Sequence, residues 1–177
     1  FSREWVDAAD RGTSNRKEGF PCQSREGLNI LVGISIGTSV TEANAAKFLY
    51  RFGVHPPAGK MTGEIVNDGN IIFTSVYYGR SLRQVMDDVG RKYIQTVVCS
   101  EIANRTFDAA NDEANKIMES VKASATTYFA SVGITLDFIG WGDTFEFDRD
   151  VQNAVNRRYI AKQEEAIAAM LTPHAPT

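Results

Sequence analysis

The pentapeptide GISIG, residues 33–37, places a serine between two glycines, which is the pattern of the turn that exposes a nucleophilic serine in hydrolases. A serine nucleophile needs a histidine base, and the chain has two histidines, His55 beside two prolines and His174 in a proline-flanked tail. The turn also needs a helix directly after Ser35, whereas the helix-start signal comes at Ser39. We therefore favour a glycine-bearing strand and keep a small serine hydrolase using Ser35 as an alternative.

Five acidic residues follow between positions 137 and 150, and carboxylates in such numbers serve elsewhere as cation ligands or as acid–base pairs. They are Asp137, Asp143, Glu146, Asp148 and Asp150. Glu146 and Asp148 alternate with two phenylalanines, so both carboxylates point to solvent if the aromatic rings point inward. Asp148 or Asp150 also stands where the N-cap of the last helix is expected. We therefore predict surface and capping roles, with no catalytic residue, metal site or cofactor.

The charges are mixed along the chain, with 19 basic and 22 acidic residues and a net charge of −3. This balance gives no electrostatic signal for nucleic acid, so no nucleic-acid partner is expected. In residues 157–166, Arg158 and Lys162 are followed by Glu164 and Glu165, and the charges balance within a few turns. Such a pattern is typical of a solvated helix or of one that forms oligomers.

The two cysteines, Cys22 and Cys99, lie far apart in the sequence and form no Cys-x-x-Cys pair. We therefore expect neither a zinc ligand set nor a disulfide framework, and the two cysteines do not indicate a redox compartment. No apolar run approaches the ~20 residues that span a bilayer, and no signal peptide is recognisable. The chain begins at Phe1, which indicates a fragment of a longer protein.

The first half of the chain predicts a strand over residues 28–36, where Ile, Leu and Val dominate without helical spacing. Ser39 and Glu42 have the spacing of a capping box, and the short helix that follows is expected to stop at Gly53. Two prolines and two glycines make residues 55–63 a predicted loop, and residues 70–79 read as a strand or an extended loop.

Two long helices are predicted next, each from an apolar stripe at helical spacing. The first runs to about Arg105, with Gly90 inside it as a bend or a starting point; the second begins near Asn111, and Gly133 is its expected C′ cap. The stripe of the first comprises Leu82, Val85, Met86, Val89, Tyr93, Val97 and Ile102. The stripe of the second comprises Ala114, Ile117, Val121, Ala125, Tyr128 and Val132.

After the second helix the apolar period changes to two, which predicts a strand with Ile134, Leu136 and Phe138 in the core. Trp141 lies between two glycines and is expected to be either a core residue or a contact for another subunit. The last helix begins near Asp150 and ends before Pro173. Its stripe is only weakly apolar, so it needs a partner or projects into solvent.

This order of elements lacks regular β-α-β alternation and favours an α+β fold, a small and mostly antiparallel sheet packed by helices with a projecting C-terminal helix. The expected parts are an N-terminal arm over 1–27, the α+β domain over 28–149, the C-terminal helix over 150–171 and a tail over 172–177.

The chain resembles the SPFH domain family, also called Band 7, which includes stomatins, prohibitins, flotillins and HflK/C. The resemblance covers roughly residues 20–168 and rests on the order and spacing of many positions, none of them diagnostic alone. The matching positions are Arg105, Phe107, Val132, Gly133, Ile134, Leu136, Phe138, Val151, Ala154, Val155, Ala161 and Gln163. The chain departs from the family in a longer polar insert at 53–80, in Asp148-Arg149-Asp150 where a proline is usual, and in a coiled coil cut short at Pro173.

The resemblance implies a non-catalytic scaffold that associates with a membrane through a segment outside this chain and assembles with SPFH-type subunits, its own copies or relatives. Such a scaffold organises the membrane or regulates a membrane protein such as a protease or a channel. The predicted contacts between subunits are Trp141, Arg158, Lys162, Gln163 and Glu165. An adaptor that docks peptides on a strand edge is a further alternative.

Overall fold

The computed structural model describes residues 1–7, 17–53 and 80–171. The chain divides into two compact units, Phe1–Phe145 and Glu146–Thr177. Its strands are β1 (Ser2–Trp5), β2 (Phe20–Gln23), β3 (Asn29–Val32), β4 (Ile34–Ser39), β5 (Thr135–Trp141) and β6 (Glu146–Phe147). Its α-helices are α1 (Glu42–Phe48), α2 (Leu82–Val85), α3 (Arg91–Ala103), α4 (Phe107–Asp112), α5 (Ala114–Ser131) and α6 (Arg149–Leu171). The predicted α+β fold is confirmed; the predictions for 55–63 and 70–79 lie outside the described residues.

Within the described residues, the strands form two small antiparallel sheets. One has the order β1-β4-β5, and the other contains the hairpin of β2 and β3. The single strand predicted over 28–36 is wrong, because the chain passes from one sheet to the other at Gly33. The Gly33 carbonyl accepts a hydrogen bond from the Gly142 N–H at 2.8 Å, and a Cβ on Gly33 would come within 2.7 Å of Val6.

The ends of the predicted N-terminal arm are strands of these sheets. Trp5 closes β1, is 1% exposed and packs its ring 5.7 Å from that of Phe20, which begins β2. An apolar ring of this size, buried this fully, is a major contribution to the core. The chain before residue 28 therefore supplies both strand pairing and core packing to the first unit.

The predicted capping box at Ser39 is wrong. Ser39 is the last residue of β4, and its hydroxyl donates to the Asp137 carboxylate of β5 at 2.9 Å instead of capping a helix. Thr41 stands at the N-cap of α1, with extended backbone and no side-chain capping bond. The helix continues as a π-helical turn over Leu49–Gly53, so its predicted end at Gly53 is confirmed.

The helix predicted from Leu82 to about Arg105 is present but interrupted. A π-helical turn over Met86–Gly90 separates α2 from α3, so Gly90 marks an irregularity as expected. A π turn holds an extra residue and therefore shifts every later side chain around the helix. The fully buried residues after it are Ile94, Val98 and Ile102, and the predicted Tyr93 and Val97 are only half-buried.

The second predicted helix is present as α5, preceded by the short α4. Of its predicted stripe, Ile117, Val121, Ala125 and Val132 are buried, and Phe129 joins them. Gly133 has φ +81°, and its N–H donates to Ala130 while that of Ile134 donates to Phe129. These two bonds form a Schellman motif, so the predicted C′ cap is confirmed.

Helices α3 and α5 pack against each other through aromatic side chains as well as aliphatic ones. The rings of Tyr93 and Tyr128 stack with their centroids 3.9 Å apart, and the Tyr93 hydroxyl donates to the carbonyl of Ser124 at 3.2 Å. A half-buried tyrosine in this position contributes both apolar area and a satisfied polar group.

The core positions predicted for β5 are correct only at the start of the strand. Ile134, just before β5, is 1% exposed, whereas Leu136 is half-buried and Phe138 is 46% exposed. Phe138 lies directly across from Gly37 of β4, and its ring occupies the space that a side chain on Gly37 would need. An aromatic ring that covers a cross-strand glycine stabilises a sheet without entering the core.

Candidate functional site

Ser35 lies inside a strand and not on a turn. It is the second residue of β4, the middle strand of its sheet, and its register partners are Glu4 on β1 and Gly140 on β5. A nucleophile elbow requires a sharp turn from strand to helix, which this backbone does not have. Ser35 therefore does not lie on a nucleophile elbow. The two histidines, His55 and His174, lie outside the described residues.

The acidic residues of the segment 137–150 occupy separate surface positions. Asp137 accepts the hydrogen bond from Ser39, and the Asp143 carboxylate accepts one from the backbone N–H of Thr144 at 2.8 Å. Glu146, Asp148 and Asp150 are exposed. Within the described ranges, no group of three or more His, Cys, Asp or Glu side chains has a metal-binding arrangement.

Trp141 is the predicted contact that belongs to the first unit. Its side chain is half-buried, its indole N–H donates to the carbonyl of Ala114 at 3.1 Å, and the Phe145 ring packs edge-on with centroids 4.9 Å apart. The two rings line an open pocket of about 390 Å³ together with Asn111, Ala114, Gly142, Asp143 and Thr144. Trp141 thus combines a structural hydrogen bond with an accessible ring, and its role as a contact stays a prediction.

The other four predicted contacts lie on α6, in the second unit. Lys162 and Gln163 line a shallow groove along this helix, with Tyr159, Ala166, Ile167 and Met170. The Gln163 amide donates to the Tyr159 hydroxyl at 2.9 Å. Arg158 and Glu165 are exposed on the same helix, outside the residues that line this groove. None of the four is shown to contact another subunit, so these roles also stay predictions.

Helix α6 exposes large apolar side chains in its C-terminal half. Tyr159 is 64% exposed, Ile160 55%, Ile167 54% and Met170 84%. Ile160, Gln163, Ile167 and Met170 are spaced three, four and three residues apart, which is the spacing of the a and d positions of a coiled coil. The apolar stripe predicted for this helix ran through Arg158 and Lys162 to Met170, so it included Met170 but missed Ile160 and Ile167. A search for a seven-residue repeat would have found both isoleucines.

Arg105 organises a polar cluster that the sequence pattern did not reveal. Its guanidinium donates to the carboxylates of Glu101 at 2.6 Å and Glu113 at 3.0 Å, and to the Glu101 carbonyl at 2.8 Å. The second Glu101 oxygen accepts a bond from the Ser120 hydroxyl at 2.7 Å. The cluster therefore ties the end of α3 to the start and middle of α5.

The pKa values of this cluster follow from its hydrogen bonds. The Ser120 hydroxyl and then the Arg105 guanidinium lower the pKa of Glu101, and Arg105 together with Lys116 lowers that of Glu113. The same two carboxylates raise the pKa of Arg105. All three groups therefore stay ionised at neutral pH, so the cluster is suited to holding elements together and not to proton transfer.

The hairpin turn between β2 and β3 joins the same junction. The N–H of Arg25 donates to the carbonyl of Arg105 at 2.8 Å, and the Glu26 carboxylate accepts a bond from the N–H of Phe107 at 2.8 Å. That bond lowers the pKa of Glu26. Arg105 and Phe107, two positions of the family resemblance, thus hold the hairpin against the α3–α4 turn.

The expectation about the cysteines is wrong. Cys22 on β2 and Cys99 on α3 form a disulfide, with their Cα atoms 4.9 Å apart and a sequence separation of 77. The spacing of two cysteines in a sequence does not reveal this bond, because pairing depends on which elements pack together. The described residues contain no free cysteine.

The described residues show the class of protein, which is an α+β domain with two small antiparallel sheets and a long, solvent-exposed C-terminal helix. The model of the SPFH domain / Band 7 family matches residues 6–172. The chain belongs to the SPFH domain / Band 7 family. A comparison with curated protein sequences found no match.

Members of this family are generally membrane-associated scaffolds that are not catalytic and that form oligomers. In the part of the chain that the structure describes, every helix is too short or too polar to cross a bilayer.

Proposed function

We propose that this chain is a non-catalytic, membrane-associated scaffold domain that assembles side by side with other SPFH-type subunits. In this role it organises the surrounding membrane or regulates a membrane protein such as a protease or a channel. The observation that carries the proposal is the exposed apolar face of α6. Four large side chains on this helix, Tyr159, Ile160, Ile167 and Met170, are each more than half exposed.

The spacing on α6 supports helix–helix packing between subunits. Ile160 and Ile167 occupy equivalent positions seven residues apart, with Gln163 and Met170 as the alternate positions of the repeat. Subunits that sit on one membrane all face the same way, so neighbouring helices pack in parallel and equivalent residues meet. β-Branched residues at the a position suit parallel pairing, whereas the polar Gln163 at the d position lowers the stability of the seam.

Burial of two isoleucine side chains per helix is worth several kcal/mol, at about 1.5–3 kcal/mol for each side chain fully buried. A seam of one and a half repeats is short, because isolated helical pairs need three or more repeats for stable association. The described part of α6 therefore supports weak self-association that strengthens when subunits are concentrated on a membrane.

Sedimentation velocity of the full chain in a bilayer mimetic tests the assembly. We expect the wild-type chain to sediment as oligomers, and the double variant Ile160→Glu/Ile167→Glu to shift toward the monomer because charges would be buried in the seam. Ala161→Glu adds a single negative charge one residue away from the seam and is expected to leave the oligomers intact. Sedimentation of the wild-type chain only as a monomer would contradict the proposal.

The adaptor alternative rests on the sheet edges. β1 and β5 are the outer strands of the sheet β1-β4-β5, as strand addition requires. No described feature of these strands favours a peptide over a neighbouring subunit, so this alternative stays a prediction.

A further inference from the structure

The Cys22–Cys99 disulfide uses both cysteines of the chain. It fastens the β2–β3 hairpin to α3, and these elements already pack together through the core. Ile30 of the hairpin is 1% exposed and Val98 of the helix is completely buried. The two cysteines therefore lie side by side as a consequence of the fold.

The two sulfur-bearing residues differ in accessibility. Cys22 is 4% exposed, in a strand whose buried neighbours include Phe20, whereas Cys99 is half-buried on α3. Thiol–disulfide exchange requires a thiolate to approach along the S–S axis, so access decides which sulfur reacts first. In the reduced protein, an external disulfide reaches Cys99 before it reaches Cys22.

We propose that this domain resides in an oxidising compartment, where a disulfide-donating thiol oxidoreductase joins Cys99 to Cys22, with Cys99 reacting first. The Cys99 thiolate attacks one sulfur of the oxidoreductase disulfide, and the other sulfur leaves as a thiolate. The Cys22 thiolate then attacks Cys99 Sγ and releases the oxidoreductase as a dithiol. The chain loses two protons and two electrons, and the oxidoreductase gains both, so the exchange balances.

The compartment follows from the stability of such bonds in cells. Structural disulfides form and persist in oxidising environments, whereas the glutathione and thioredoxin systems of the cytosol keep thiols reduced. For a membrane-associated scaffold, an oxidising compartment means that the domain faces away from the cytosol. This orientation goes beyond the proposed assembly. The thiol state tests the orientation and the oligomer size tests the assembly, so either proposal can fail while the other stands.

The first experiment measures the thiol state of the full chain in the cells that make it. Cells are quenched in trichloroacetic acid, and their proteins are treated with maleimide–polyethylene glycol either before or after reduction. We expect no added mass before reduction and two additions after it. One or two additions before reduction would overturn the assignment to an oxidising compartment.

The second experiment tests the order of reaction on the purified full chain. Cys22→Ala leaves only the half-buried Cys99 thiol, and Cys99→Ala leaves only the buried Cys22 thiol. We expect the first variant to react with an aromatic disulfide reagent at least about tenfold faster under native conditions. Equal rates, or faster reaction of the Cys99→Ala variant, would overturn the order.

A measurement on the wild-type chain keeps this test valid if either variant folds poorly. The oxidised protein is treated briefly with a small amount of glutathione, quenched with N-ethylmaleimide and digested for mass spectrometry. Glutathione attacks the accessible sulfur, so we expect it on Cys99 and N-ethylmaleimide on Cys22. The reverse distribution would contradict the proposed roles.

Discussion

Gly133 meets two requirements that only glycine satisfies together. Its φ of +81° lies in the left-handed region, and an added Cβ would come within 2.5 Å of the Phe48 nitrogen and 2.9 Å of the Asn44 oxygen. Both atoms belong to the backbone of α1, which cannot turn aside as a side chain does. Gly133 therefore ends α5 and also lets α1 approach the cap closely.

Gly133→Ala is expected to destabilise the domain by about 3 kcal/mol, the sum of the left-handed penalty and a backbone clash. Gly27 is a matched control, since its φ is +84° and an added Cβ meets nothing within 4 Å. Gly27→Ala should lower the free energy of unfolding only by the penalty for a left-handed backbone, about 1–2 kcal/mol. Urea unfolding followed by circular dichroism measures both, and equal losses in the two variants would show that the α1 contact is unimportant.

At the scale of single residues, the sequence predicts the features that depend on a few neighbouring residues. It misses the features that depend on partners far away in the sequence. The Gly133 cap follows from a glycine after a helical stripe, and it is correct. The capping box at Ser39 also fits a local pattern, but pairing with β5 recruits the Ser39 hydroxyl to Asp137, 98 residues away. Local propensity is overridden wherever tertiary contacts offer the same group a partner.

At the scale of elements, the positions of the helices are predicted well, but the residues on their buried faces are predicted less well. The periodicity placed helical structure over 82–105 and 111–132, and both regions are helical. The π turn over Met86–Gly90 then displaced the buried face by one residue, so that Ile94 and Val98 replaced Tyr93 and Val97 in the core. A π turn leaves no regular sequence period, so a 3.6-residue template cannot anticipate it.

The Arg105 cluster joins α3 to α5 and makes the packing of these helices sensitive to acid. Hydrogen bonds from Ser120 and Arg105 lower the pKa of Glu101 below its ordinary value of 4.5. The folded state therefore binds fewer protons than the unfolded state as the pH falls below about 4.5. The stabilisation is complete above this pH and is lost as the pH falls through the folded-state pKa.

Glu101→Gln is expected to lower stability at pH 7 and to make the acid-induced loss of stability, as the pH falls below the ordinary carboxyl pKa of 4.5, shallower than in the wild type. Glu119→Gln on the exposed face of α5 is the control and should keep wild-type stability at pH 7. Urea midpoints measured across this pH range provide the comparison. If Glu101→Gln keeps both the stability and the acid slope of the wild type, the cluster does not hold the helices together.

At the scale of the whole molecule, the order and spacing of many positions indicate the family independently of any single contact. Such a pattern survives local errors, including the single strand predicted over 28–36 and the misplaced capping box. It conveys nothing about the Cys22–Cys99 bond, which depends on how the β2–β3 hairpin docks against α3. The same limit applies to contacts between subunits, since the proposed assembly face on α6 depends on a second chain.

The disulfide is expected to be a large contribution to the stability of the first unit. Its two cysteines have a sequence separation of 77, and cross-linking a loop of this length destabilises the unfolded chain by about 4.5 kcal/mol in the chain-entropy model. The double variant Cys22→Ala/Cys99→Ala loses this restriction and also leaves space at a buried position. Its urea midpoint should therefore fall further than that of the wild-type chain kept reduced, because the reduced chain retains both sulfur atoms. The reduced wild type isolates the effect of the cross-link, and an unchanged midpoint after reduction would show that packing alone holds the hairpin to α3.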